Sequence, residues 1–266
     1  VGRLSANPGS AICVMRTNWG DSVYWAKKIF ASTTSVFLRQ SYPAQNGTFI
    51  ASGQWNPGLN ADLLLCQIDT NGSLIWAKRY RNLLNTGHQA GLLDVKNLQI
   101  HNGFIYLTAI YNQYSFLAKL DLSGNIIWSK SFKSNSANFK ELIYGAPVVS
   151  NDTVTYVSVA DEINLNTGLI QNKIAIVTQL NGNTGSIIRA FAYTTPSDPI
   201  IRAIIPYAIN RNRNRGFTII GCLSVTDGNG QPSSSSNLPF NVKLNNNLDI
   251  LQSEFYDSNP ILGVDL

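Results

Sequence analysis

The chain has 266 residues and a formal net charge of +5, with 13% charged residues, about half the ~25% of an ordinary globular protein. Thirty Asn stand against three Glu and one Met. That balance excludes coiled coils, charge-rich disorder and most helical bundles, and it suits many short strands joined by polar turns.

Strand signals recur along the chain. Ala11–Phe30 carries two alternating runs and ends near Trp25-Ala26-Lys27. Ser35–Tyr42 and Thr48–Trp55 follow, then Ala61–Tyr80, which alternates on both sides of Asp69-Thr70-Asn71-Gly72 and contains Trp76-Ala77-Lys78. Val95–His101 and Phe104–Ile110 lead into a matching copy, Ser115–Phe132, with Asp121-Leu122-Ser123-Gly124 and Trp128-Ser129-Lys130. Ala146–Ser150, Val154–Val159 and Lys173–Tyr193 form a weaker copy; Ile200–Ile209, Phe217–Ser224 and Pro239–Tyr256 form another. The anchors Trp25, Trp76, Trp128, Arg189 and Gln252 are 51, 52, 61 and 63 residues apart. A period of that size belongs to an array or a propeller of supersecondary units. Each Asx-x-x-Gly segment predicts a hairpin turn in which Gly72 or Gly124 takes a positive φ.

Four strands per unit predict an all-β fold, a β-propeller with blades at approximately 31–80, 94–132, 144–193 and 200–257. Gly2–Gly9 resembles Gly53–Gly58, so the chain starts at the second strand of a fifth blade, made of 258–266 plus 1–30. The expected fold is therefore one domain of five four-stranded blades, the first closed by the C-terminal strand Ile261–Leu266, which removes two exposed sheet edges.

The Asp-x-x-Gly-x-x-x-Trp hairpin resembles the blade signature of quinoprotein-like and outer-membrane-assembly-type propellers. Its Trp-Ala-Lys ending is similar to repeats of secreted surface proteins of bacteria and some large viruses. The resemblance implies a propeller and no particular function. No quinoprotein cofactor residue can be placed on this chain, so no cofactor is expected.

Chemistry-bearing motifs are sparse. Cys13, Cys66 and Cys222 lie in separate apolar stretches without C-x-x-C spacing, which predicts buried thiols and no metal site. The only histidines are His88 and His101, and no Gly-x-Ser-x-Gly elbow occurs. Asp69 and Asp121 are expected to brace their turns, and the repeated tryptophans to pack between blades. No basic stripe with interleaved aromatics points to nucleic acid, and no apolar run is long enough to span a membrane. Arg211, Arg213 and Arg215 read as a solvated turn. A chain opening on Val is expected to have lost a signal peptide, which places it outside the cell or on its surface.

Loop arithmetic locates the expected working face. In a meander, the second-to-third strand links and the blade-to-blade links leave the same side. The long segments Arg81–Leu93, Lys133–Leu142, Ala160–Asn172 and Thr226–Asn237 all fall there, including the Gln231–Ser236 tract expected to be a flexible loop. The candidate ligand-binding residues are Trp55, Tyr111, Tyr114, Asp161, Glu162 and His88. The expected function is an extracellular, non-enzymatic binding or assembly module on a cell surface or in a virion, contacting a protein or glycan partner. The alternatives are a glycoside hydrolase using a pair among Asp94, Glu141, Asp161 and Glu162, and a lectin. A hydrolase needs two carboxyl groups converging in one pocket.

Overall fold

The computed structural model of the chain describes residues 2–5, 10–17, 23–31, 36–44, 47–55, 62–80, 93–111, 114–132, 139–163, 170–193, 201–213, 216–226 and 232–255. A first antiparallel sheet holds β1 (Gly2–Ser5), β2 (Ser10–Thr17) and β3 (Val23–Ala31). Next comes the meander of β4 (Val36–Pro43), β5 (Phe49–Trp55), β6 (Asp62–Ile68) and β7 (Leu74–Tyr80). A second meander holds β8 (Leu93–His101), β9 (Phe104–Tyr111), β10 (Tyr114–Asp121) and β11 (Ile126–Phe132). Two more follow: β12 (Phe139–Ser150), β13 (Thr153–Ile163), β14 (Ile170–Asn181) and β15 (Ile187–Tyr193), then β16 (Ile201–Arg211), β17 (Phe217–Thr226), β18 (Pro232–Leu244) and β19 (Ile250–Phe255).

These last two meanders share a single parallel bridge, Lys173 to Ala203, and so count as one eight-stranded sheet. The described residues thus form four sheets, where five separate blades were expected. The repeating four-stranded antiparallel meander is a β-propeller-like architecture. The closing segment Ile261–Leu266 lies outside the described residues.

Side-chain caps hold the turns between third and fourth strands. Asp69 Oδ1 accepts hydrogen bonds from Asn71 N at 2.8 Å and Ser73 N at 2.7 Å. Asp121 Oδ1 accepts from Asn125 N at 2.8 Å, and Asn245 Oδ1 accepts from Asn247 N and Asp249 N at 2.8 and 2.9 Å. Asn181 does the same toward Asn183 N and Thr184 N. These are the Asx bonds expected of Asp69 and Asp121. Gly72 and Gly124 adopt φ of 79° and 77°, as the hairpin pattern requires.

Three stretches expected to be loops are strand. β12 begins at Phe139, inside the expected loop Lys133–Leu142. The expected loop Ala160–Asn172 is largely consumed by β13 and β14, which pair as far as Ile163 and Ile170. β18 begins at Pro232, inside the expected loop Thr226–Asn237; Pro232 stands opposite Thr226 and Asn237 opposite Ser224, and the four serines between them bulge from the ladder. In the first two, pairing with a neighbouring strand imposes the extended form where a loop was expected. Pro232 opens its strand, the position at which a missing N–H costs least.

The chain divides into two compact units, Val1–Asn112 with Phe116–Ser131, and Gln113–Ser115 with Phe132–Leu266. In the first, sheet β4–β7 is covered on both faces. Val36, Ala51, Leu64 and Cys66 meet Ile29 of β3 on one side, and Ile50, Leu63 and Leu65 pack against Leu98, Ile105, Leu107 and Phe116 on the other. In the second unit, Val157, Ala175 and Val177 pack against Ile204, Ile219, Phe240 and Val242. Cys66 and Cys222 are buried free thiols, and burial pushes the Cys66 thiol up to about 12. Cys66 acts as a small hydrophobe, while Cys222 Sγ lies within hydrogen-bond distance of Tyr207 Oη at 2.8 Å.

Trp76 packs between two sheets as expected, and Trp128 is buried against a residue of its own sheet. Trp128 is 8% exposed and meets Tyr106 edge-on, with ring centroids 6.5 Å apart. Trp76 donates from Nε1 to Gln67 Oε1 at 2.7 Å and to the Leu122 carbonyl at 3.0 Å, tying β7 to the β10–β11 turn. Tyr80 reinforces this tie by donating to the Gly124 carbonyl at 2.5 Å. The second unit repeats the latch, with Tyr193 donating to the Leu248 carbonyl at 2.6 Å. The Trp25 side chain lies outside the described residues.

One position in the repeat is apolar and bare. Thirteen large hydrophobic side chains are exposed among the described residues, and ten of them open the last strand of a meander. They are Val23-Tyr24 in β3, Leu74-Ile75 in β7, Ile126-Ile127 in β11, Ile187-Ile188 in β15 and Ile250-Leu251 in β19. Each of these strands is the outermost of its meander, with no further strand paired to it among the described residues.

Candidate functional site

Strand order decides which side chains share an end of sheet β4–β7. Links β4–β5 and β6–β7 leave one end; the β5–β6 link and the connections into and out of the sheet leave the other. At that second end, Trp55 closes β5 and stands opposite Asp62, which opens β6. Arg79 lies opposite Leu64, and residues 62 and 64 share a face, so Arg79 reaches Asp62 diagonally. Both Arg79 Nε and Nη2 meet Asp62 Oδ2 in a short charge-assisted contact. The Arg79 guanidinium carbon sits 5.6 Å from the Trp55 ring centroid. The result is a planar cation held between a buried carboxylate and a half-buried indole. Such a ledge offers an aromatic face and N–H donors side by side, suited to stacking on a sugar or holding a peptide side chain.

In the second unit the corresponding end of sheet β12–β15 carries charge of another kind. Asp161 is 4% exposed and accepts from Lys173 Nζ at 2.6 Å across the β13–β14 pair. It is a buried strand residue neutralised by a partner, where a loop-borne contact residue was expected. Glu141 accepts from the Ser158 hydroxyl at 2.6 Å, and burial lifts its carboxyl above the ordinary value, with the Ser158 bond opposing. Nearby, Tyr156 is pushed well above its usual value, first by burial and then by the Glu141 charge, and its ring lies 5.0 Å from Phe132.

Register separates these two acids. Glu141 stands opposite Ala160 and Asp161 opposite Lys140, so the carboxylates project from opposite faces of one sheet. Glu141 and Asp161 therefore do not converge in a common pocket. Asp94 pairs opposite Ile110, and Glu162 opposite Phe139; their side chains lie outside the described residues.

The remaining expected site residues fall as follows. Trp55 joins Asp62 and Arg79. Tyr111 closes β9 and Tyr114 opens β10, one end of their sheet, with side chains outside the described residues. His88 also lies outside them. Arg211 and Arg213 are exposed around the β16–β17 turn, whose Asn212 N donates to Gly216 O at 2.8 Å.

Three features were missed in the sequence: the Arg79–Asp62 pair, the Lys173–Asp161 pair, and Lys119. The last is 5% exposed, with Nζ 4.1 Å from the Phe104 ring centroid and 5.6 Å from that of Tyr106. A signal existed for Lys119: it occupies the repeat position of Gln67 and Gln179, both long polar residues in an otherwise apolar strand.

The raised Glu141 gives a pH prediction. A carboxyl whose folded-state value exceeds its ordinary 4.5 binds protons more tightly when folded. Its stabilisation is full below that ordinary value and is lost as pH rises through the folded value. Glu141→Gln keeps an acceptor for Ser158 without the charge. The variant is expected to melt at a higher temperature than the native chain at pH 7, with the gap closing below pH 4.5. Melting curves across that range check it, and a constant gap would contradict it.

No family model and no curated protein matches the chain. Among solved structures it is similar to a Dos1 propeller at 14% identity, covering 96% of this chain and 66% of that one with a TM-score of 0.45. It is also similar to the quinohemoprotein alcohol dehydrogenase of Comamonas testosteroni at 12% identity, covering 86% and 48%, TM-score 0.44. An endo-arabinase of Bacteroides thetaiotaomicron matches at 9% identity, covering 88% and 94%, TM-score 0.40. The chain spans just under two thirds of the propeller and about half of the dehydrogenase.

Proposed function

We propose that the chain is a non-enzymatic binding or assembly module that works outside the cell, on a surface or in a virion. Its scaffold is a five-bladed propeller whose first blade is completed by Ile261–Leu266 beside β1. Its partner, a protein or a glycan, docks on the side from which the long connections leave, through Trp55, Tyr111, Tyr114, Glu162 and His88, together with Arg79.

The Trp55–Arg79–Asp62 ledge carries the reading. An indole and a guanidinium held in register at a sheet end are suited to recognition. They offer donors and an aromatic face, and the one carboxylate among them is engaged by Arg79. The opposed faces of Glu141 and Asp161 argue against that pair as a hydrolase centre. Incubating the protein with a neutral oligosaccharide array, using native, Arg79→Ala and Trp55→Phe forms, tests the glycan arm. Retention that weakens in both variants without release of reducing ends is expected. Release of reducing ends would favour the hydrolase, and retention indifferent to both variants would move the site elsewhere.

A further inference from the structure

We infer that one face of the last meander, β16–β19, is a docking surface, and that residues 256–266 of this chain are what it takes. The surface lies wholly within the second unit, apart from the ledge.

Burial shows the face to be unfilled. In β5, β6, β9, β10, β13 and β14, strands inside their meanders, every residue whose side chain is described is buried or half-buried. β17 is also an inner strand, yet Ile220 at its middle is 46% exposed. Ile219, Leu223, Phe240 and Val242 point toward β12–β15. Ile220 and Cys222 alternate with them and point the other way. Beside them in the ladder stand Ala208 and Ile205 of β16 and Pro239 of β18. A bulge between Pro206 and Ala208 adds Tyr207, which is 53% exposed with its hydroxyl 2.8 Å from Cys222 Sγ. Single exposed hydrophobics need no explanation, but an apolar patch across three strands in mid-sheet marks a surface that something covers.

Chain continuity decides the occupant. β19 is the outermost strand of this meander and runs toward the end at which β16, the innermost, begins. Three strand spacings separate them, about 14 Å. Tyr256–Pro260, extended, reaches up to about 17 Å, enough to bring residue 261 beside β16. From there Leu262, Val264 and Leu266 alternate with Ile261, Gly263 and Asp265. Extended, the first three form one apolar row, the pattern of a strand that buries one side against a sheet. A second copy of the chain lacks this tether. A segment on a short linker meets its site at an effective concentration in the millimolar range, so it outcompetes a free molecule.

Ile220→Cys reports on the cover. Maleimide labelling is counted by intact mass above that of the native chain, in which Cys66 and Cys222 are buried. Under the segment the new thiol is expected to react at least about tenfold more slowly than free glutathione, because it is reached only through local opening. Leu262→Asp with Val264→Asp in the same protein is expected to restore the free-thiol rate while the far-ultraviolet circular dichroism stays native. Should that pair unfold the protein, Leu262→Ser with Val264→Ser makes the same comparison. Free-thiol labelling with the native terminus would overturn the inference, and so would slow labelling that neither pair relieves. Slow labelling relieved by dilution, together with a dimer in the ultracentrifuge, would give the face to a second copy and overturn it too.

Discussion

Trp128→Ala is expected to lower the unfolding free energy by about 3–5 kcal/mol, and Trp76→Ala by about 2–3 kcal/mol, because only the first ring is almost wholly buried. Trp128 loses its edge-on partner Tyr106 together with the volume that fills the outer part of its sheet. Trp76 loses less area, but its N–H also leaves the Gln67 side chain and the Leu122 carbonyl without their donor. Trp76→Phe separates the two contributions. It keeps most of the ring packing and should cost about 1 kcal/mol, the net worth of a hydrogen bond. Urea unfolding followed by circular dichroism measures all three. Native-like midpoints for both alanine variants would return the tryptophans to the surface and make a ligand-stacking role the better account.

The parts of the fold legible in the sequence are those fixed by local chemistry. An Asx side chain that caps its own turn, a glycine at positive φ, and alternation on either side announce a hairpin wherever they occur together. The repeat of Asp69-x-x-Gly72 as Asp121-x-x-Gly124 therefore gave the period directly. The misread segments are those shaped by a partner. Nothing local in Ala160-Asp161-Glu162-Ile163 marks a strand end four residues further on, and its extension comes from pairing with β12 and β14. The same holds for Phe139–Leu142 against β13.

The candidate site follows the same division. Trp55 was legible because an aromatic at a strand end has no evident core duty. Its partners were not, because they depend on register across three strands: Trp55 faces Asp62, and Arg79 reaches it only because Leu64 is Arg79's opposite number. Glu141 and Asp161 show the converse. Composition made them a plausible carboxylate pair, and a hairpin register that sets Glu141 against Ala160 puts them on opposite faces.

Gly124→Leu is expected to cost about 3 kcal/mol, and the reason lies in how the latch differs between the two units. Gly124 has φ 77°, a left-handed conformation that alone costs a residue with a Cβ about 1–2 kcal/mol. A Cβ there would stand 2.7 Å from Tyr80 Oη and 3.0 Å from the Trp76 ring, so the latch itself would have to open. The second unit places Leu248 at the same turn position with φ 71°, and its side chain is 1% exposed within the core. There the residue at the Trp76 position is Arg189, which reaches the turn only through Asn247 at 3.4 Å. The two arrangements are alternative fillings of one space, indole with glycine or arginine with leucine. Combining Gly124→Leu with Trp76→Arg should therefore recover at least about 1 kcal/mol relative to the sum of the single changes, a coupling typical of residues in contact. Leu248→Gly should still destabilise, by about 2 kcal/mol, because loss of a buried leucine outweighs relief of its backbone conformation. A double-mutant cycle on urea midpoints reads the coupling. Strict additivity would mean that the ring and the turn do not share the space the distances give them.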